Sequence, residues 1–254
     1  MAKIQSFWHY AWFSKETSMT ALALTRDGNY LMHGKQYSPA TIVKCLEPLL
    51  TETRLSKLNH VLYHRSNHCL PVMEHIHDVG NINAVMRSAE ILGFPKLANI
   101  PSQKFKSSSR VTSGADKWVT IDTYQGPSEC YSDLKKKGYT ICATALRSDA
   151  IPFDQLDLSK PRAFVFGNEK KGVSPETLEL VDECTIIPTV GFTESFNISV
   201  AAAIVMSKIR DFISANDRKY LLTEDEIINI KARQLLLQFK YQTVIMHIKE
   251  DLCV

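Results

Sequence analysis

The strongest constraint on the fold is an alternation of short apolar runs with helical patterns between residues 70 and 213. Apolar runs predict strands at 70–74, 96–100, 118–122, 139–145, 162–166 and 184–187. Helical spacing bounded by Gly or Pro predicts helices at 82–92, 127–137, 175–181 and 197–213. Strands that alternate with helices usually form a parallel sheet covered on both faces, so the sequence predicts an α/β fold with a mostly parallel sheet.

The segments on either side of this alternation predict two extensions. Residues 20–32 contain the turn signal Asp27-Gly28-Asn29 between apolar runs, which is typical of a hairpin. Residues 39–66 read as helical, and two more helical segments cover 223–250. The predicted organisation is therefore an N-terminal extension (1–66), a main domain (67–213) and a C-terminal helical extension (214–254). The aromatic start of the chain fits either a packed add-on or an appendage that contacts RNA or a partner.

Chain length, net charge and cysteine spacing exclude several classes of protein. The chain has 254 residues and a formal net charge of +3, so it can bury a sizeable core and would bind nucleic acid only through a local patch. Its six cysteines include no Cys-x-x-Cys pair, which argues against a zinc ribbon or a disulfide scaffold and favours a reducing, cytoplasmic setting. The sequence shows no signal peptide and no apolar run long enough to span a membrane.

Three polar islands interrupt the apolar pattern where predicted strands and helices meet. The first covers residues 81–87 at the start of a helix, and the second covers 166–172 directly after a strand. The third covers 195–199, again at the start of a helix. Open α/β sheets hold their ligands where strands pass into helices, so the islands are predicted to form the active site.

The first island contains Asn81, Asn83 and Arg87. Asn81 could cap a helix that begins near Ile82, because an asparagine side chain can accept a hydrogen bond from a free backbone N–H. Arg87 lies one turn further on, among apolar residues, and a buried guanidinium needs an anion or several acceptors. It could bind a ligand, or it could form an internal salt bridge to Glu169 or Glu90.

The second and third islands exclude several common sites. Gly167 and Gly172 allow a sharp turn and a close backbone approach, but no Gly-Lys-Ser/Thr follows, so a P-loop is not indicated. No Gly-x-Gly-x-x-Gly follows a strand, which argues against a nicotinamide-dependent oxidoreductase. Ser195 lacks the Gly-x-Ser-x-Gly elbow of a serine hydrolase, and either Ser195 or Asn197 could simply cap the next helix.

Two further groups of residues have both a functional and an ordinary interpretation. The loop 102–117 carries Lys104, Lys106 and Arg110 among serines, a combination that suits an RNA phosphate backbone but also a solvated loop. His60, His64 and His68 share one predicted helical face, yet a metal site needs three or four convergent ligands. No metal site is predicted.

Taken together, the three islands resemble the motifs of the SpoU (TrmH) family of SPOUT-superfamily RNA 2′-O-ribose methyltransferases. The motifs are HDVGNINAVMRSAEILGF (77–94), FVFGNEKKGVSPETLELVD (164–182) and IIPTVGFTESFNISVAAAIV (186–205). Their order, spacing and flanking strands all match the family pattern. The likeness spans about residues 60–250, and Phe196 stands where the family usually has leucine.

The resemblance implies a fold, a cofactor and an assembly. The expected fold is a SPOUT sheet whose C-terminal part is threaded into a deep trefoil knot, a rare exception to unknotted topology. The expected cofactor is S-adenosyl-L-methionine, bound in the knot near the interface of a homodimer. The resemblance assigns cofactor binding to five residues, namely Thr144, Leu146, Gly167, Ile187 and Phe196.

The resemblance also implies a reaction, the transfer of a methyl group to a ribose 2′-OH, with a tRNA D-loop guanosine as the expected target. The residues expected to carry it are Arg87, Asn81, Glu169, Ser195 and Asn197. An arginine is almost always protonated, so Arg87 is expected to bind a phosphate and polarise the hydroxyl rather than act as a base. The alternatives are a 23S rRNA 2′-O-methyltransferase of the same family and a non-catalytic RNA-binding protein.

Overall fold

A computed structural model describes residues 22–24, 28–32, 34–102 and 114–250 of the chain. The described residues divide into two compact units. Unit 1 combines the residues up to Asn59 with those from Glu224 onward, and unit 2 runs from His60 to Thr223. The aromatic segment at the start of the chain lies outside the described residues.

The elements of the described chain follow the predicted alternation. The strands are β1 (Leu22–Leu24), β2 (Tyr30–Met32), β3 (Lys35–Tyr37), β4 (Cys69–Glu74), β5 (Lys96–Ile100), β6 (Thr120–Thr123), β7 (Thr140–Thr144), β8 (Ile151–Pro152), β9 (Arg162–Phe166) and β10 (Glu183–Ile186). The helices are α1 (Pro39–Leu46), α2 (Glu52–Tyr63), α3 (Val79–Ile91), α4 (Pro127–Lys136), α5 (Pro175–Leu180), α6 (Ile198–Ser214), α7 (Glu224–Gln238) and α8 (Tyr241–Glu250).

Unit 2 is built on a seven-stranded sheet with the order β6-β5-β4-β9-β7-β10-β8. Each neighbouring pair of strands runs parallel. Alternate residues of β9 face opposite sides: Phe164 belongs to the core under α3 and α6, whereas Val165 belongs to the core under α4 and α5. The sheet is therefore buried on both faces, and the predicted α/β class is confirmed.

The structure departs from the sequence prediction at several element boundaries. Helix α3 begins three residues early, and residues 39–66 are two helices because a 3₁₀ turn at Glu47–Leu49 separates them. That turn contains Pro48, which has no N–H to continue an α-helix. The very short strand β8 was not predicted, since two residues carry no detectable periodicity.

Unit 1 contains the predicted hairpin together with one strand more. Strands β1 and β2 pair antiparallel, and β3 adds to β2 in the same way. Helix α1 packs against α7 and α8, with Ile42 and Leu46 fully buried. Lys231 of α7 forms an ion pair with Glu47 at the end of α1, which fixes one end of this packing.

Two further observations concern the cysteines and the length and apolar character of the helices. The five cysteines of the described residues are unpaired and buried, namely Cys45, Cys69, Cys130, Cys142 and Cys184. Among the helices that the structure describes, none combines the length and the apolar character needed to cross a membrane.

Candidate active site

The three polar islands meet at one edge of the unit 2 sheet. Because β4, β9, β7 and β10 are parallel, their carboxyl ends share an edge. The first island begins α3 after β4, and the second is the loop that follows β9. The third precedes α6, in the connection that leaves β10. The sequence prediction that the islands adjoin strand ends is therefore confirmed, and the chain passes the same edge three times.

Asn81 joins the three islands through hydrogen bonds. Its Nδ2 donates to Oε1 of Glu169 at 3.0 Å, which connects the first island to the second. Its Oδ1 accepts from Nδ2 of Asn197 at 3.2 Å, which connects the first island to the third. These bonds span 88 and 116 residues of sequence, so local sequence could not have revealed them. The result is one polar chain, Glu169–Asn81–Asn197.

Asn81 does not cap α3, so that interpretation of the sequence was wrong. The cap is Asp78, whose carboxylate accepts from the N–H of Gly80 at 2.7 Å. An aspartate is as good a cap as an asparagine and also suits the positive end of the helix dipole. With the backbone already capped, the buried side chain of Asn81 is free to bond to the other two islands.

Asn197 caps α6 and also reaches Asn81. Its Oδ1 accepts from the backbone N–H of Ser199 at 2.8 Å and from the Ser199 hydroxyl at 2.6 Å. Its Nδ2 remains available for Asn81 because an amide carries both an acceptor and donors. The interpretation of Asn197 as a helix cap is therefore confirmed, and the same amide also bonds Asn81.

The carboxylate of Glu169 is held in its ionised form. Partial burial raises its pKa, but hydrogen bonds with the backbone of Glu169, with Asn81 and with the backbones of His77 and Asp78 outweigh that effect. The net pKa lies below the usual range for a glutamate. A carboxylate with a lowered pKa is a good fixed acceptor and a poor proton acceptor near neutral pH.

The loop after β9 is fixed by a close backbone crossing. A Cβ atom added to Gly167 would lie 2.1 Å from the backbone nitrogen of Val173, so only glycine fits. Across the loop, Asn168 and Gly172 exchange two backbone hydrogen bonds of 2.9 Å. Gly172 takes a φ of 69°, a conformation that favours glycine.

Asn168 is a residue whose importance sequence reasoning missed. Its Oδ1 accepts from the backbone N–H groups of Lys170 and Lys171, at 3.0 and 3.1 Å. Its Nδ2 donates to the carbonyl of His75 at 3.0 Å. An asparagine that bonds the backbone two residues ahead is a common turn signal, and it could have been found in the sequence Gly-Asn-Glu-Lys-Lys-Gly.

Arg87 does not lie where the sequence analysis placed it. Its side chain is exposed, and in the part of the chain that the structure describes it makes no hydrogen bond or ion pair. The suggested partners are engaged elsewhere: Glu169 bonds Asn81, and Glu90 bonds Arg65 at 3.4 Å. Helical spacing puts Arg87 on the same exposed side of α3 as Ile91, four residues on.

The residues assigned to the cofactor surround the carboxyl ends of β7, β9 and β10. Thr185 of β10 pairs with Thr144 of β7, whose hydroxyl donates to the carbonyl of Val165 at 2.9 Å. Ile187 is half-buried against the core. Leu146 and Phe196 are exposed, at 62% and 43% of their surface.

The remaining predicted residues are less informative. Ser195 is exposed and makes no hydrogen bond to another described residue. Lys104, Lys106 and Arg110 lie outside the described residues. Of the predicted histidine face, His60 and His64 lie with ring centroids 4.5 Å apart and the rings tilted by 42°, whereas His68 lies beyond α2 and bonds the carbonyl of Leu158. Within the described ranges, no three metal-ligating side chains come together.

Residues 70–207 match the family model described as the SpoU rRNA Methylase family, which is more than half of the chain. The chain belongs to the SpoU methylase family. This confirms the resemblance that the three motifs indicated. The matched range begins in β4 and ends in α6, so it includes every residue of the Glu169–Asn81–Asn197 polar chain.

Named relatives of this SpoU family chain include tRNA and rRNA methyltransferases. One from Aquifex aeolicus, a tRNA (guanosine(18)-2′-O)-methyltransferase, is 29% identical over 82% of this chain and 98% of its own length. Another of the same name from Borreliella burgdorferi is 32% identical over 77% of this chain and 92% of its own. A 23S rRNA (guanosine(2553)-2′-O)-methyltransferase from Bacillus subtilis is 29% identical over only 55% of this chain.

Solved structures of the SpoU family share the fold. The crystal structure of the A. aeolicus TrmH/SpoU tRNA modifying enzyme aligns with a TM-score of 0.68 and 29% identity, covering 74% of this chain and 98% of the other. The SpoU methyltransferase AviRb from Streptomyces viridochromogenes, in complex with AdoMet, aligns with a TM-score of 0.53 and 23% identity, covering 59% of this chain and 62% of the other.

An open groove runs between α3 and α6 on the surface of this SpoU domain. Its volume is about 600 Å³, and its walls combine small, hydroxyl and branched apolar side chains: Ala84, Ser88, Ser199, Val200, Ala203, Ile204, Ser207 and Lys208. Ile91, on the same side of α3, is 69% exposed. Exposed apolar side chains that adjoin such a groove usually mark a contact surface.

Proposed function

We propose that this chain is an RNA 2′-O-ribose methyltransferase that transfers a methyl group from S-adenosyl-L-methionine to the ribose of a tRNA D-loop guanosine. The observation that carries the proposal is the Glu169–Asn81–Asn197 chain, which unites the three SpoU motifs at one edge of the sheet. The relatives named tRNA (guanosine(18)-2′-O)-methyltransferase support the substrate.

The share of this chain that each relative matches favours a tRNA substrate over a ribosomal RNA substrate. The tRNA-methylating relatives from A. aeolicus and B. burgdorferi match 82% and 77% of this chain, whereas the 23S rRNA-methylating relative matches 55%. Substrate choice in RNA enzymes depends on contacts outside the catalytic core, because the core chemistry at the ribose is the same. Similarity that continues beyond the core therefore supports the tRNA assignment.

The residues at the sheet edge fit the cofactor. Gly167 allows the tight backbone crossing directly after β9, and the exposed Leu146 and Phe196 offer apolar contacts for an adenine ring. Thr144 and Ile187 complete the set at the ends of β7 and β10. When bound, S-adenosylmethionine supplies an activated methyl group on a sulfonium centre. The C-terminal threading expected of the family belongs to this proposal as well.

Arg87 would bind a phosphate beside the target ribose and polarise its 2′-OH. The exposed guanidinium has no partner among the described residues, so it is available to an anion. Its permanent charge suits a phosphate and excludes the role of general base. Most of the rate gain in such a transfer comes from aligning the two substrates, and a bidentate guanidinium is a good aligning group.

Glu169, Asn81, Asn197 and Ser195 would organise the pocket around that ribose. Glu169 stays ionised and holds the amide of Asn81, which fixes the direction of the Asn81 carbonyl. Asn197 fixes the start of α6 against the same residue. Ser195, exposed two residues earlier, would contact the ribose or the cofactor.

The working enzyme would be a homodimer formed through the α3–α6 groove. The groove supplies an apolar surface next to Arg87, with the exposed Ile91 on the same helix, α3, and the exposed Val200 on α6. A second copy packed there would cover these side chains and place its own residues beside Arg87. A Val200→Asp substitution should shift sedimentation from dimer to monomer and abolish methyl transfer, and a variant that stays dimeric and active would contradict this assembly.

Residues outside the catalytic core would hold the tRNA. Lys104, Lys106 and Arg110 would contact phosphates, and unit 1 would act as an RNA-contacting appendage to the SpoU domain. The free, buried cysteines suit a cytoplasmic setting, where thiols stay reduced.

The decisive experiment uses labelled cofactor and defined transcripts. Methyl incorporation is expected into an unmodified tRNA transcript and not into one whose D-loop target guanosine carries a 2′-deoxyribose. A 23S rRNA transcript should accept little label. Preferential labelling of the rRNA would select the ribosomal alternative, and binding of RNA without labelling of either transcript would select the non-catalytic one.

A further inference from the structure

Glu74, the last residue of β4, is a fully buried carboxylate. Its Oε2 accepts from the backbone N–H of Ser174 at 3.2 Å, and its Oε1 accepts from the hydroxyls of Ser174 at 2.6 Å and Thr177 at 2.8 Å. The Thr177 hydroxyl also bonds that of Tyr131 at 2.8 Å. Burying a carboxylate is costly unless it is hydrogen-bonded. Here the donors are Ser174, at the end of the Gly167–Ser174 loop, and Thr177, in the first turn of α5. Nδ1 of His75 also lies 4.0 Å from Oε1 of Glu74.

His75, the next residue, has a left-handed backbone with φ of 54°. Residues other than glycine rarely adopt this conformation, which costs free energy that the surrounding structure must offset. The backbone of His75 is held on both sides: its N–H donates to the carbonyl of Ile100 at 2.8 Å, and its carbonyl accepts from Asn168 at 3.0 Å. Asn168 lies at the start of the same loop.

We infer that Glu74 and His75 are positioning residues for the proposed methyl transfer, because together they fix both ends of the loop that carries Glu169. Glu74 holds the end of the loop through Ser174, and His75 holds its start through Asn168. Between these points Glu169 reaches Asn81. The inference rests on the proposed function and adds two residues that do not touch the reacting groups.

An ordinary structural role explains these features less well. Ser174 alone already caps α5 by accepting from the N–H of Thr177 at 3.1 Å, so helix formation does not require the buried carboxylate. A buried charge and a strained backbone are both unfavourable, and here they are adjacent. Such features are retained where a precise geometry is needed, and both bond the loop that presents Glu169.

The first test compares Glu74→Ala with Glu74→Gln. Alanine leaves the Ser174 N–H without its acceptor, whereas glutamine keeps one carbonyl oxygen and can donate to the two hydroxyls. We expect Glu74→Ala to lower kcat by about ten- to a hundred-fold, as a small misplacement of a catalytic group does, and to leave the KM for tRNA unchanged. Glutamine should restore most of kcat. Amide exchange of residues 168–174 should quicken in the alanine variant.

The second test separates the His75 side chain from its backbone. Glycine adopts a φ near 54° without strain and keeps the carbonyl that accepts from Asn168, so His75→Gly should retain wild-type kcat. Valine is β-branched and resists this conformation, so His75→Val should lower kcat and speed the exchange of the same amides. If glycine abolished activity, the side chain rather than the backbone position would be what matters.

A matched control loses a hydrogen bond at the opposite edge of the sheet. Tyr139→Phe removes the bond from the Tyr139 hydroxyl to the carbonyl of Asn67 and should change neither kcat nor amide exchange in the loop. Wild-type kcat and unchanged loop exchange in a folded Glu74→Ala variant would overturn the inference. Absence of methyl transfer by the wild type would instead defeat the proposed function, while the exchange measurements would still test the clamp.

Discussion

The two edges of the unit 2 sheet use their polar side chains differently. At the amino edge, Arg162 is buried and pairs with Glu183 at 3.0 Å. Asp182 accepts from the backbone N–H of Ile141 and pairs with Lys135, each contact below 3 Å. These groups pair with one another or bond the main chain, so each is engaged within the protein.

At the carboxyl edge, polar groups bond to one another but leave capacity for a ligand. Arg87 is exposed without a partner among the described residues, Ser195 bonds nothing there, and His75 holds a strained conformation. Burial and ion pairing therefore characterise the amino edge of this sheet, whereas an arginine unpaired within the described chain and a strained backbone characterise the edge that carries the candidate site. Parallel α/β sheets bind ligands at the carboxyl ends of their strands for the same topological reason.

The largest effect at the carboxyl edge is expected at Arg87. Arg87→Ala should lower kcat/KM for tRNA methylation by about a hundred- to a thousand-fold, as the loss of one group that stabilises charge in the transition state typically does. The thermal midpoint and cofactor affinity should stay the same, because the exposed side chain contributes no described contact. Arg87→Lys, which keeps the charge but not the fork of donors, should give an intermediate rate. An active Arg87→Ala variant would remove Arg87 from the mechanism.

The amino edge should respond in the opposite way. Arg162→Leu leaves Glu183 without its ion partner and should lower the free energy of unfolding by about 3 kcal/mol, measured by urea denaturation. The fraction that remains folded should methylate tRNA at the wild-type kcat. A large fall in kcat without loss of stability would show that the two edges are not functionally separate.

Substitution of Asn81, also at the carboxyl edge, should lower activity less than substitution of Arg87. Asn81→Ala removes the bonds to Glu169 and Asn197 and should lower kcat about thirty-fold, since two lost hydrogen bonds of about 1 kcal/mol each amount to about 2 kcal/mol of positioning. Asn81→Asp is the matched control: at neutral pH it places a second carboxylate 3.0 Å from Glu169 and should lower kcat further. Equal rates for the two variants would argue against a positioning role.

The smallest expected effect is a pH dependence at the amino edge. Burial lowers the pKa of His68, whose Nε2 bonds the carbonyl of Leu158 at 2.6 Å, and this bond offsets part of the shift. A histidine with a lowered folded-state pKa contributes stability that is present above its unfolded pKa of about 6.5 and is lost as pH falls below it. Stability should therefore fall between pH 7 and pH 5, and less so in His68→Gln. Parallel curves for the two proteins would contradict this.

The sequence predicted the sheet and helices well because their signals are local. Apolar runs bounded by Gly or Pro located β9 and α5 to within a residue, and Gly93 correctly marked the end of α3. The hairpin turn was equally recognisable from the sequence around Gly28, which has a φ of 79°. The start of α3 was missed because Asp78 and Asn81 are both good caps, and local sequence does not choose between them.

The candidate site was only partly predictable. The motifs named Asn81, Glu169 and Asn197, which the structure joins, but helical periodicity could not tell that Arg87 faces outward, since both faces of α3 carry apolar residues. Nothing in the local pattern distinguished His75 from an ordinary loop residue. Its conformation depends on Ile100 and Asn168, which are distant in sequence and adjacent only after folding.

Unit 1 is built from both ends of the described chain, and this determines the order in which the two units can fold during translation. Helix α1 emerges early, yet α7, which covers Ile42 and Leu46, is translated almost 180 residues later. At a translation rate of about 5–20 residues per second, the apolar side of α1 stays uncovered for about 10–40 s before α7 is synthesised. During that interval unit 2 can fold first, and a nascent-chain chaperone would have its best opportunity at α1.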